Sequence, residues 1–213
     1  MKPRILIYGM GNMGKFFYNF FFSRGYGVAG YDILPERRTT SSINEYDVVF
    51  LCVPMHAVGD VVANIPRQSN PLLVDISSIK SFVLPYLDSS GFDYMSIHPM
   101  FGPDSEIGLS NIIVVRRSGR KEEEIILEEF RKAGAVLSEL PPEKHDAKMA
   151  EIQGVAHFLL VGMANFLANR LEKSDLVYAS PIFATLYKLA SRILNQDWRM
   201  YYYIQRNAEV IRK

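Results

Sequence analysis

His98 stands in "SIHPMFGPD" (96–104), where an apolar strand-like run meets a proline. Pro99 fixes its own φ and pushes the preceding residue toward extended geometry, so His98 is expected at the last extended position before a loop. An imidazole titrates at about 6.5, which suits it to taking a proton near neutrality. "DISSIK" (75–80) brings Ser77, Ser78 and Lys80 to the end of another strand-like run. A hydroxyl, an ammonium and an imidazole on one loop cluster suit a polar, anionic substrate. An alcohol that loses hydride needs a base of this kind for its hydroxyl proton. On the residues alone, a histidine packed in the core remains the competing reading.

A second cluster lies near the N-terminus. "GMGNMG" supplies Gly9, Gly11 and Gly14, directly after the run "RILIYG" and at the start of a helix-like segment. An acid, Asp32, ends the next strand-like run. That context makes the glycines a dinucleotide fingerprint. Gly9 permits the tight turn, Gly11 lets a pyrophosphate approach the backbone, and Gly14 lets helix and strand pack closely. The helix N-terminus offers unpaired N–H groups to the phosphates. Asp32 would accept hydrogen bonds from ribose hydroxyls and repel a 2′-phosphate, favouring NAD over NADP; Arg37 and Arg38 are the counter-argument. The candidate cofactor set is Gly9, Gly11, Asn12, Met13, Gly14, Asp32, and Val53 with Pro54 at the end of the third strand. No metal is expected.

The elements that must position these groups alternate. Strands are predicted over 4–9, 27–32, 47–54, 72–77, 94–99, 111–115 and 135–140, with helices over 13–24 and 121–134. Near-continuous apolar strands separated by helices imply a mostly parallel sheet covered on both faces. In such sheets ligands bind beyond the carboxyl ends of the strands. Residues 33–46 are too few for a full crossover helix and strand. After Leu140 the texture becomes helical: a long helix from "PPEKHDAKM" onward, a second from Pro181, and a third from Trp198. The expected architecture is a Rossmann-like doubly wound domain (1–141) followed by a small all-helical domain (142–213). The second is too small to be stable alone. It is expected to pack on the first domain and on a second copy of the chain.

Composition narrows the partners. The chain has 213 residues, a formal net charge of +1 and one cysteine, Cys52. Neither nucleic acid nor an anionic membrane is suggested as a partner, and no internal disulfide can form. The start of the sequence leads straight into a strand without a secretory pattern, which fits a cytoplasmic protein. The apolar run "GVAHFLLVGMANFLA" is interrupted by His157 and Asn165 and reads as too short for a bilayer, hence as a core or interface helix.

"GMGNMG", "VDISSIK" and above all "HPMFGPD" resemble the prephenate dehydrogenases of tyrosine biosynthesis. "HDAKMAEIQGVAHF" (145–158) and "SPIFATLYKLASRILNQD" (180–197) are similar to that family's helical domain. The resemblance implies NAD-dependent oxidative decarboxylation of prephenate, with arogenate as the near variant, in a homodimer. It implies that His98 is the base and that Ser78 bridges hydroxyl, His98 and nicotinamide. Lys80 would orient the site or touch substrate. Gln153 and His157 would face the substrate from the long helix, one turn apart. Arg192 would grip a carboxylate.

Other readings bear on the same residues. His56 would only line the cofactor pocket, and His145, beside Asp146, would cap a helix or lie at the surface. The acids of "KEEEIILEEF" read as a solvated face. In the second helix the stripe Ile182, Leu186, Leu189, Ile193 reads as buried, leaving Arg192 with Thr185 and Lys188 on the polar side. A β-hydroxyacid dehydrogenase or imine reductase would need an acid–base group such as Lys148. A non-catalytic NAD-sensing module would have no use for His98, Ser78 and Arg192 together.

Overall fold

The structure, a computed structural model, describes residues 1–108, 110–194, 201, 202 and 205, without the side chains of 192–194. It divides into two compact units, Met1–His145 and Asp146–Lys213, four residues beyond the boundary expected from sequence.

In the first unit the described residues form seven strands: β1 (Ile5–Tyr8), β2 (Val28–Tyr31), β3 (Val48–Leu51), β4 (Leu72–Asp75), β5 (Tyr94–Pro99), β6 (Asn111–Arg116) and β7 (Val136–Glu139). They make one sheet in the order β2-β1-β3-β4-β5-β6-β7. The first five run parallel, β6 is antiparallel to β5, and β7 is parallel to β6. Between β2 and β3 the described chain forms only a 3-10 turn, Pro35–Arg37, so that layer is trimmed as the short spacer required. The chain leaves β1 toward β2 on one side and returns to β3 on the other. This reversal opens a crevice at the carboxyl ends of β1 and β3.

Alternation along the strands builds two cores. Ile5, Ile7, Phe50 and Val74 face helices α1 (Asn12–Phe22) and, in chain order further on, α4 (Lys121–Lys132), meeting Phe17, Phe21 and Phe130. Leu6, Val49, Leu51 and Leu73 face α2 (Val58–Asn64) and α3 (Lys80–Asp88), meeting Val61, Val83 and Leu87. With side chains alternating across each strand, a sheet covered on both faces needs apolar residues at every position, which these strands supply.

One expectation fails at α4. Glu122 and Glu123 are buried, not solvated. Glu123 accepts hydrogen bonds from the Ser118 and Gly119 N–H groups, the Ser118 hydroxyl and Arg117 Nε, closing the loop that enters the helix. Acids in a first helical turn answer its unpaired N–H groups and dipole. Burial pushes the Glu122 carboxyl up, but its bond from Arg120 and its backbone bond outweigh this and leave it below the ordinary range.

In the helical region α5 (Pro142–Met149) continues through a π-helical turn, Ala150–Gly154, into α6 (Val155–Ala168). The sequence predicts one uninterrupted α-helix here. By length and composition alone the 27-residue run Pro142–Ala168 is long and apolar enough to cross a membrane, a test that the core helix of a soluble protein also passes. α7 (Pro181–Leu194) packs on α6 through Ala190, Phe183 and Tyr187 against Ala164, Leu167 and Met163. The expected inward stripe is therefore wrong: Ile182, Leu186 and Leu189 are exposed, at 76%, 40% and 43%. Two alanines, Ala164 and Ala190, together with Leu167, Phe183 and Tyr187 make the α6–α7 contact, and the aliphatic stripe is left exposed. Periodicity finds an apolar face but does not say what covers it. The third predicted helix falls largely outside the described residues.

Candidate active site

The glycine loop joins β1 to α1. Gly9 has φ of +98°, a conformation disfavoured for side chains with a Cβ, and an added Cβ would overlap the Cys52 carbonyl. A Cβ on Gly14 would land on the Gly9 carbonyl oxygen, so this glycine sets the close packing of α1 on β1. Gly11 is different. Its φ of −71° suits any residue, and a Cβ there would meet nothing within 4 Å among the described residues. Neither backbone strain nor packing among the described residues asks for a glycine at 11. Open space above it, at the start of a helix with no side-chain cap among the described residues, fits an anionic group approaching the backbone. Asn12 is exposed at the first turn of α1, while Met13 is half-buried and packs on the core.

Asp32 has a structural role that the motif does not reveal. It is buried, and its Oδ2 accepts from the Met10 N–H at 2.6 Å while Oδ1 accepts from the Leu34 N–H at 3.0 Å. The carboxylate thus pins the glycine loop to the end of β2. Each carboxylate oxygen has a second lone pair, so both retain acceptor capacity for hydroxyls. Arg38 donates through Nε to the Asp32 carbonyl at 2.6 Å and lies over the Tyr31 ring, whereas Arg37 is exposed. Val53 packs on the second core beyond β3, and Pro54 is exposed at the start of a 3-10 turn that carries the exposed His56.

Further along the same sheet edge, β4 and β5 end in a closed polar cluster. Asp75 accepts from Lys80 Nζ at 2.7 Å, from the Ser96 hydroxyl at 2.7 Å and from the Ser77 N–H at 2.9 Å. Lys80 also donates to the Ile97 carbonyl at 2.7 Å and is 0% exposed. A substrate contact by Lys80, one of the two roles expected for it, does not fit this geometry; the ammonium ties the end of β4 to the residue before His98. Ser78 is half-buried in the turn between β4 and α3.

His98 lies one residue before the end of β5, paired across to Ile113 of β6. Pro99 follows within the strand. Its missing N–H costs little, because the β4 pairing has already stopped at Ser96. The loop beyond packs on the nucleotide helix through Phe101 and Phe16, ring centroids 5.3 Å apart. His98 is buried, and its Nδ1 lies 3.0 Å from Nε2 of His145, itself 0% exposed. His145 is neither a cap nor a surface residue, and sequence reasoning missed it. The available signal was its place early in the long helix, 47 residues from His98.

The second unit carries the other candidates. Gln153 is half-buried in the π-helical turn. His157, in α6, packs edge-on against Tyr201 at 4.9 Å; its Nδ1 is buried without a hydrogen-bond partner among the described residues. Burial pushes its pKa down. Arg192 lies in α7, with its side chain outside the description. Lys148 is half-exposed and paired with Glu151 at 2.6 Å, a surface ion pair and no acid–base group in a cleft.

A strand–glycine loop–helix with an acid closing the next strand, at the switch point of a doubly wound sheet, defines a dinucleotide-binding α/β protein. The chain belongs to the prephenate dehydrogenase family: residues 29–111 match its nucleotide-binding domain and residues 141–213 its dimerization domain. The first match begins beyond the glycine loop, so the geometry above is independent support for that loop. The chain is 30% identical over 207 residues to the T-protein of Enterobacter agglomerans, covering 94% of this chain and 55% of the relative. It is 27% identical over 225 residues to a probable arogenate/prephenate dehydrogenase of Methanocaldococcus jannaschii, covering 94% and 50%. The chain thus spans about half the length of these relatives. Prephenate dehydrogenase from A. aeolicus, solved with hydroxyphenyl propionate and NAD+, superposes with a TM-score of 0.74 at 20% identity, covering 98% of this chain and 85% of that one, and so shares the fold.

Proposed function

We propose that the chain is an NAD-dependent dehydrogenase that converts prephenate to 4-hydroxyphenylpyruvate, with arogenate as the alternative substrate. The observation that carries this reading is His98 at the end of β5, held by a second imidazole on the sheet edge that bears the glycine loop. Gly11, the N-terminus of α1 and Asp32 have the shape and donor set for a dinucleotide: open space, unpaired N–H groups and an acceptor for ribose hydroxyls. NAD, when bound, supplies the hydride acceptor.

His98 takes the proton of the ring C4 hydroxyl as the C4 hydride leaves. The carbonyl formed at C4 draws in the electron pair of the bond to the ring carboxylate. That bond breaks, carbon dioxide departs, and the ring becomes an aromatic phenolate whose oxygen takes the proton back from His98. Ser78 orients the hydroxyl toward His98, and Lys80 keeps β4 and β5 in register beneath both. Under this proposal Arg192 provides a two-donor fork for a substrate carboxylate, and Gln153 and His157 contribute polar contacts. Prephenate and arogenate differ in a side-chain ketone against an amine, and the family includes proteins named for both.

The exposed apolar faces of α6 and α7, in a region matching a dimerization domain, support a homodimer. A cytoplasmic location belongs to the same proposal. The test is NADH formation at 340 nm with each substrate against NAD and NADP. Turnover of prephenate with NAD supports the reading; arogenate turnover alone moves the assignment to the near variant; no turnover with either overturns it.

A further inference from the structure

We propose that His145 is a positioning residue that holds His98 in the tautomer with its proton on Nδ1, so that Nε2 carries the basic lone pair. This rests on His98 being the base. The rings are tilted by 59° with centroids 5.1 Å apart, so they meet by a nitrogen–nitrogen hydrogen bond and do not stack. At 3.0 Å that line holds one proton. Two lone pairs would repel across it, and two N–H groups would collide.

Either His98 donates from Nδ1 or His145 donates from Nε2. The second arrangement leaves His98 with its proton on Nε2, where it is a donor and cannot accept the substrate's hydroxyl proton. The first makes Nε2 the base. Which ring nitrogen carries the proton is set by the hydrogen bond that the other one makes. His145 stands in the first turn of the helical run from Pro142, so its ring is carried on hydrogen-bonded backbone. The Lys80 bond to the Ile97 carbonyl fixes the backbone just before His98, so ring orientation and backbone are held from two sides.

The experiment is long-range 1H–15N spectroscopy on the 15N-labelled full chain, in which four histidines are assigned by single substitution. The expected result is His98 with Nδ1 protonated and Nε2 unprotonated. In His145→Phe the His98 tautomer shifts toward Nε2–H, and kcat falls about tenfold to a hundredfold while KM changes little. His145→Gln, whose amide oxygen can accept the same proton, recovers part of both. Wild-type His98 with its proton on Nε2, or an unchanged tautomer in His145→Phe, overturns the proposal. The wild-type spectrum decides even if both variants fold poorly. An Nδ1-protonated His98 in a chain that turns over neither substrate would sink the function and leave the histidine coupling standing.

Discussion

The sheet unit and the helical unit use their side chains in opposite ways. In the first, polar groups near the strand ends close on one another: Asp75 takes three donors, Glu123 takes four, and Asp32 holds the loop above β1. In the second, the α6–α7 core is a small cluster around Ala164, Leu167 and Ala190, while Ile182, Leu186, Leu189, Phe158 and Leu159 stay exposed. Among the described residues of the first unit, no buried side-chain polar atom lacks a partner. The other presents apolar surface of a kind that marks an interaction site. The difference teaches where to expect loss of fold and where to expect loss of assembly.

The largest effect on the self-contained side should come from Lys80→Met. It strands Asp75 in a buried site, and chemical denaturation should show a loss of about 3–5 kcal/mol. A Tm within a degree of wild type would mean that the cluster is not what holds β4 to β5.

Within the glycine loop two substitutions should separate structure from binding. Gly14→Ala forces a Cβ onto the Gly9 carbonyl and should destabilise by about 1–3 kcal/mol. Gly11→Val should leave the melting curve near wild type yet weaken NAD at least about tenfold, or 1.4 kcal/mol, by calorimetry. Equal NAD affinity in Gly11→Val would remove the main argument for a phosphate above that residue.

On the other side, Leu186→Glu should leave the fold intact and convert a dimer to a monomer in sedimentation equilibrium. A wild-type mass that is monomeric at all concentrations would break the comparison outright. The smallest effect concerns His157. Burial lowers its folded pKa below the ordinary value of about 6.5. Its neutral form is therefore favoured by folding, and its contribution is present above the unfolded pKa and lost as pH falls through the folded one. His157→Phe should flatten part of the decline in stability as pH falls below about 6.5. An NMR titration placing His157 above 6.5 would contradict this sign.

Much of the sheet unit could be read from the sequence because its signals are local. A glycine spacing, an acid one strand later and a proline after His98 lie within short windows, and apolar runs reveal buried strands. The failures have several physical origins. Lys80, Glu122 and Glu123 are charged residues whose partners Asp75, Arg120 and Gly119 lie within five residues of them, but residue type alone does not say that such a pair is folded into the interior and not left in solvent. His145 meets His98 across 47 residues. In α7 the pattern shows an aliphatic stripe, and nothing local says that Ala190 faces α6 while Leu186 does not. The π-helical turn at Ala150–Gly154 has no compositional marker that separates it from the α-helix on either side.

The most direct measurement compares wild type with His98→Asn, following NADH formation from prephenate and NAD alongside the NAD dissociation constant. A general base of this kind is worth typically about 10²–10⁴-fold, so kcat should fall by that order while NAD binds as before. Equal kcat in the two proteins would contradict the account.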